Sequence, residues 1–507
     1  MANMIRSLNS QRAALPRAVT VSLVTLILIG AGSALLYWHG IVEPYGLVAN
    51  QAARHVTLGT LIGLAPDKDW AYEITLAGLF VLYAGALLLV RRRGERAMWV
   101  VVIAGAAVFS AILLLAYPME AIDIFDYIMH GRVQAVYGAD PFAVTPLHFP
   151  SDRFFSYGLW NDWTSTYGPL WETAAGLAAR LAGDGVVTNV IVFKLIEVAG
   201  YAVTCLMIVR ILQREAPDRA LFGLTLFAWN PLTLFSLAGN GHNDGLMLAF
   251  VMLGFYFLSI RRFSLAVMAE LAGALVKFIP LLILPIVAVA GLKAQTSWKD
   301  RLRFIGLTGL GCALLAALAY APYPHLTDFM AVSRRADLFT TSLPALIHFQ
   351  LARSIGSQAD HLVATAALGL TGLFALWQTW RAWRDTRPDA APRAALAVFF
   401  FYLLVTCLWF QPWYVTWALA LGAVVGGEAL SWGAVLLSAA GQAQLPLFWL
   451  YLYPRITILP PPAGDLAETL STLGLCWLYF VAIGAWKAGT AALGGLRGEN
   501  SPAELQA

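Results

Sequence analysis

The chain has 507 residues, of which 59% are hydrophobic and only 12% charged, with a formal net charge of +4. Charged residues stand at about half the share usual in a soluble protein, which excludes a disordered chain and an ordinary soluble globule. So small and diluted a positive charge makes nucleic acid a poor partner, and the composition predicts an all-α polytopic membrane protein.

A crossing helix needs about 20 apolar residues. In chain order, crossings are expected near 18–38, 72–91, 97–117, 187–210, 219–239, 243–260, 302–320, 361–380, 393–410, 411–427, 430–450 and 468–487, about twelve in all. Arginine-rich connections face the cytoplasm. Arg6, Arg12 and Arg17 therefore place the N-terminus inside, followed by Arg91 to Arg96, Arg210 to Arg219, Arg261 and Arg262, Lys293 to Arg303, and Arg381 to Arg393. Residues 263–292 break the alternation, because this apolar run has basic clusters on both sides. Lys277 and Pro280 interrupt it, so it is predicted to be a re-entrant pair of half-helices rather than one kinked span. Both termini are then cytoplasmic in a plasma (inner) membrane. Residues 1–493 read as one transmembrane domain, with a long outer-face loop region at 118–186 and a flexible tail at 494–507. Cys205, Cys312, Cys407 and Cys476 have no paired spacing and read as buried thiols.

Four polar or aromatic clusters fall on the outer side. The first runs from Tyr117 to Arg132. If a helix starts at Asp123, then Asp126, Tyr127 and His130 follow at one-turn spacing, and with Arg132 they offer a general base and an anion clamp. Helix capping and solvated interface charges are the alternative. The second is the turn Asn240-Gly241-His242-Asn243-Asp244, where Asp244 is also placed to cap the next helix. The third, Trp160 to Trp171, includes Trp163 and Tyr167, and the fourth includes Gln411 and Trp413. Both suit stacking on sugar rings or anchoring at the headgroup level. Lys277 has two readings: a phosphate contact, joined by Arg132 or by Arg334 and Arg335, or a buried pair with Glu197 or Glu270. There is no Walker-type loop and no dinucleotide fingerprint. No tight histidine spacing marks a metal site, so neither a metal nor a cofactor is expected to be obligatory.

The stretches DIFDYIMHGRVQAVYGADPF (123–142), STYGPLW (165–171), FAWNPLTLFSLAGNGHNDGLM (227–247), LAGALVKFIPLLILP (271–285) and FQPWYVTWALALGA (410–423) carry a likeness. The chain resembles the GT-C superfamily of membrane glycosyltransferases, and within it the polyprenol-phosphate-mannose-dependent α-(1→6)-mannopyranosyltransferases. The resemblance implies a GT-C type fold and a polyprenyl-phosphate sugar as donor substrate. It also implies a lipid-linked or glycan acceptor and inverting transfer of a hexose at the outer face. The family's catalytic aspartate falls on Asp123, and its loop arginine and glycine fall on Arg132 and Gly138. Phe142 stands where relatives more often carry tyrosine, and Asp126 where many carry a neutral polar residue. Asp123, Asp126, His242 and Asp244 are the candidate catalytic residues. Lys277, Arg132, Arg334 and Arg335 are candidates for the donor phosphate. His130, Trp163, Tyr167, Asn243, Gln411 and Trp413 are candidates for substrate contacts. A secondary transporter or lipid flippase is the alternative.

Overall fold

A computed structural model describes residues 17–54, 66–91, 94–324, 338–425, 428–446 and 463–496. It is a bundle of α-helices, and the described residues form no sheet, only isolated bridges such as Thr340 with Trp409. Among the described residues, seven helices are long and apolar enough to cross a membrane: Thr20–Tyr45, Ala71–Val90, Arg96–Leu114, Val186–Glu215, Trp298–Tyr320, Gln358–Arg384 and Leu466–Trp486. The helices Pro217–Ala228 and Pro231–Gly239, bent by 55° at their break, make an eighth if they form one span. Of the expected twelve crossings, length and composition support seven or eight among the described residues. The difference lies mainly in Asp244–Ser259, Ala390–Thr406 and Pro412–Val424, apolar helices of fewer than 18 residues. Hydropathy does not distinguish a short helix buried in protein from one buried in lipid.

The helices that position the site are numbered here in chain order: α1 (Arg96–Leu114), α2 (Asp123–Ala135), α3 (Pro169–Ala182), α4 (Val186–Glu215), α5 (Asp244–Ser259), α6 (Phe263–Ala274), α7 (Leu284–Lys293) and α8 (Val415–Val424). The buried Lys194 of α4 fixes the end of α1, donating to the carbonyls of Leu113 (3.2 Å) and Ala116 (2.6 Å). A cation at a helix C-terminus satisfies carbonyls left without intrahelical partners. After a short connection α2 begins at Asp123, as expected, with Asp123 and Asp126 in the first turn, where carboxylates oppose the helix dipole favourably. The connection is itself anchored. Glu120 accepts from Tyr72 Oη (2.8 Å), from Asn240 Nδ2 (2.9 Å) and from Gln442, joining four separate parts of the chain.

A short helix, α3, follows the aromatic cluster, with Pro169 at its first position. Just before it, the chain docks onto the break in the 263–292 run. Gly168 N donates to Val276 O (3.0 Å) and Leu170 N to Leu275 O (2.9 Å). A Cβ on Gly168 would lie 2.0 Å from the Leu275 carbonyl oxygen, so the approach requires glycine. The run is broken as expected into α6 and α7, with Lys277 in the break just before a short 3-10 turn at Ile279–Leu282.

Candidate active site

One cleft brings together seven of the fourteen candidate residues. Asp123, Asp126, Tyr127 and His130 form its α2 wall, the face expected from helical spacing. Trp163 and Tyr167 come from the loop before α3, Lys277 from the α6–α7 break, and Trp413 from the turn before α8. Trp160, Trp409 and Tyr414 also line it.

The two aspartates differ. The Asp123 side chain is 20% exposed and its Oδ2 lies 3.7 Å from His242 Nδ1. Asp126 is buried, and its Oδ1 accepts from the backbone N–H of Leu159 (3.0 Å) and Trp160 (3.2 Å). Burial, reinforced by the charge of Asp123 and partly offset by those two N–H donors, pushes the Asp126 carboxyl up to about 8. His130 is also buried, with Nε2 3.2 Å from the Trp163 carbonyl, and burial lowers its pKa below the ordinary imidazole value. In the first turn of α3, Glu172 accepts from Ser165 Oγ at 2.5 Å, and burial raises its carboxyl to about 8.

His242 and Asn243 stand behind the cleft wall and do not line it. The His242 ring is stacked on Trp413 with centroids 3.9 Å apart. Burial and then the Lys277 charge push its pKa well down, which favours the neutral imidazole. Among the described residues, neither His242 ring nitrogen has a hydrogen-bond partner, nor does the Asn243 amide.

Asp244 also lies outside the lining and is fully buried. Its Oδ2 meets Lys277 Nζ at 2.8 Å and its Oδ1 accepts from Trp417 Nε1 at 2.6 Å. With both oxygens so occupied, Asp244 is built to hold Lys277 rather than to take a proton. Neither Glu197 nor Glu270 is the partner of Lys277. Glu197 accepts from Leu246 N at 3.0 Å, and Glu270 has no hydrogen-bond partner among the described residues for either carboxylate oxygen. Lys277 Nζ also sits 5.1 Å from the Tyr414 ring and 5.7 Å from that of Trp417.

Arg132 does not reach the cleft. Nine residues after Asp123, at 3.6 residues per turn, it falls about half a turn from the Asp123 face. Its guanidinium binds Asp152 (2.9 Å), Asp184 (2.8 Å) and the Gly183 carbonyl (3.2 Å). Arg132→Met is therefore expected to strand the buried Asp152 carboxylate and to cost about 3–5 kcal/mol of stability. Donor KM should be unchanged in whatever fraction remains folded. Thermal melting alongside donor KM checks this, and a donor KM effect at unchanged melting temperature would restore Arg132 to the site. Gln411 is half-buried and does not line the cleft. Arg334 and Arg335 lie outside the described residues.

A buried wall of ionisable and aromatic side chains around a cleft, in an all-helical multi-pass bundle, defines a membrane protein with an enclosed polar site. The sequence family described as alpha-(1→6)-mannopyranosyltransferase, N-terminal domain, matches residues 27–293, more than half of the chain. The chain belongs to this family, which has a GT-C-like, all-helical membrane architecture. An alpha-(1→6)-mannopyranosyltransferase A of Corynebacterium glutamicum is 24% identical over 282 residues, covering 53% of this chain and 54% of the relative. The alpha-(1→6)-mannopyranosyltransferase A of Mycobacterium tuberculosis is 28% identical over 155 residues, 30% of this chain and 29% of the relative. An alpha-(1→6)-mannopyranosyltransferase B of Corynebacterium glutamicum is 26% identical over 219 residues, 42% and 34%. The matched region thus spans about half the length of the first of these relatives or less.

Proposed function

We propose that the chain is an inverting glycosyltransferase that moves a hexose, mannose in the first instance, from a polyprenyl-phosphate donor to a lipid-linked or glycan acceptor. The observation that carries this reading is the pairing, in one cleft, of an accessible carboxylate at Asp123 with a fixed cation at Lys277. A polyprenyl-phosphate sugar presents C1 with phosphate as its leaving group. The acceptor oxygen attacks C1 as the C1–O bond to phosphate breaks, and Asp123 takes the acceptor's hydroxyl proton. Lys277 stabilises the negative charge of the departing phosphate. A single displacement inverts C1, so a β-linked donor gives an α-glycoside. His130, Trp163, Tyr167 and Trp413 supply sugar contacts around the reacting atoms, and His242 supports Asp123 from behind.

We place this cleft on the outer face of a plasma membrane. Arg96 stands at the end of α1 remote from Asp123, and Arg210 and Arg214 close α4. Arg261 and Arg262 follow α5, at the end opposite Asp244. Basic residues gathered at that end support a cytoplasmic position for it. Helices of 12 and 10 residues, α6 and α7, rise only about 18 and 15 Å, less than the roughly 30 Å of a hydrocarbon core. That supports a re-entrant pair carrying Lys277 at its tip.

The test is transfer by the purified chain from decaprenyl-phosphate mannose to an octyl dimannoside, compared with glucose and galactose donors and with a nucleotide-linked mannose. Turnover with the lipid-phosphate mannose and none with the nucleotide sugar is expected, undiminished by EDTA. Turnover only with the nucleotide sugar contradicts the reading. Loss with EDTA and rescue by one divalent ion would reassign Asp123 to metal binding.

A further inference from the structure

We infer that the tryptophan corner of the cleft, formed by Trp160, Trp163 and Trp409 beside Asp126, is the subsite for the terminal hexose of the acceptor. The inference rests on the transfer reading above and assigns one end of that site.

The rings are arranged as an open corner. Trp160 and Trp163 have centroids 4.7 Å apart at 45°, and Trp160 and Trp409 are 6.2 Å apart at 78°. All three are half-buried and line the cleft, whereas a membrane-anchoring tryptophan turns its ring to the headgroups. A pyranose offers an apolar C–H face to such rings and hydroxyls at its edge.

Asp126 supplies the polar counterpart. It is only 7% exposed, and while Oδ1 holds the N–H groups of Leu159 and Trp160, Oδ2 has no hydrogen-bond partner among the described residues. A buried polar atom left unsatisfied is costly, and its presence in a cleft wall points to a group that arrives with the ligand. A sugar hydroxyl meets that need. With its proton held to about pH 8 by burial, the carboxyl can also donate to a hydroxyl oxygen at neutral pH. The corner is built rather than incidental. A Cβ on Gly158 would come within 2.5 Å of Asp126 Oδ1. Trp409 is held by Thr340, whose N–H donates to Leu408 O (3.2 Å) and whose carbonyl accepts from Phe410 N (3.3 Å).

The positions along α2 assign the corner to the acceptor rather than the donor. At the Asp123 end stand His242, Trp413 and, with its charge felt at His242, Lys277. One and two turns further on, Asp126 holds the Trp160 backbone and His130 meets the Trp163 carbonyl. A donor phosphate drawn to Lys277 puts its sugar near Asp123. The remaining end is left to the attacking sugar, with Asp123 between the two.

The experiment uses the full chain in nanodiscs, with decaprenyl-phosphate mannose as donor and octyl dimannoside as acceptor probe. Trp160→Leu should raise acceptor KM about tenfold or more, the loss of one ring stack, with donor KM within twofold. Trp160→Phe, which keeps a ring, should restore most of the acceptor affinity. Trp409→Leu repeats the test should Trp160→Leu fail to fold. A rise in donor KM with acceptor KM unmoved, or no change in either, would overturn the assignment. Calorimetric binding of octyl dimannoside separates this inference from the transfer reading. Binding weakened by Trp160→Leu and kept by Trp160→Phe sustains the subsite even if no transfer from decaprenyl-phosphate mannose occurs. Binding that is absent or indifferent to Trp160→Leu overturns it even if transfer proceeds.

Discussion

Asp123→Asn is expected to abolish most transfer, a loss of roughly 10²–10⁴-fold, while the protein folds and binds donor normally. The amide keeps the shape of the side chain but cannot take a proton. Structure should be little disturbed, because Asp123 is the more accessible of the two aspartates, with His242 Nδ1 3.7 Å away. Asp126→Asn should lose far less. Its amide oxygen can still accept from the N–H groups of Leu159 and Trp160, and its amide nitrogen can donate where the protonated carboxyl would. Single-turnover rates with saturating donor measure the difference directly. Near-normal turnover by Asp123→Asn would move the general base to Asp126, since Asp244 is already engaged by Lys277 and Trp417.

The second large effect is expected at Lys277. Lys277→Met removes the cation that neutralises a fully buried carboxylate, and breaking a buried pair from one side costs about 3–5 kcal/mol. It also removes the cation offered to the donor phosphate, worth about 10–100-fold in donor affinity as one charge-assisted contact. Both readouts should therefore fall. Asp244→Asn should lower the melting temperature comparably, because it leaves the lysine without its carboxylate, yet it should largely spare donor affinity. Melting curves and donor titrations on the same two variants separate the roles. Equal loss of donor affinity in both would make Lys277 a structural partner only.

These expectations show which parts of the site are local in the sequence. Asp123, Asp126, Tyr127 and His130 are legible because a single helical period brings them to one wall. The start of α2 follows from its acidic first turn and that of α3 from Pro169. Arg132 was misplaced for the same periodic reason, since nine residues carry it to the far side of α2, where Asp152 and Asp184 hold it. The partner of Lys277 was not legible. Asp244 lies 33 residues away, and any of several buried carboxylates satisfied the chemistry equally well. Trp160 and Trp409 meet only through folding of the long loop and the pairing of Thr340 with the 408–410 segment, which leaves no periodic trace. Hydropathy alone does not fix the number of crossings, because helices such as α5 and α8 are apolar all round yet buried among other helices.

A second cavity lies at the other end of α4 and α5, lined among others by Ile211, Glu215, Phe255, Ser259 and Pro388. It gives the central claim a physical competitor. The most direct test is a structure of the chain with decaprenyl-phosphate mannose bound. The account predicts density for the phosphate within ion-pair reach of Lys277 Nζ, with the mannose C1 turned toward Asp123 and the tryptophan corner left open for the acceptor. Donor density in the Glu215 cavity, with the Asp123 cleft empty, would contradict it.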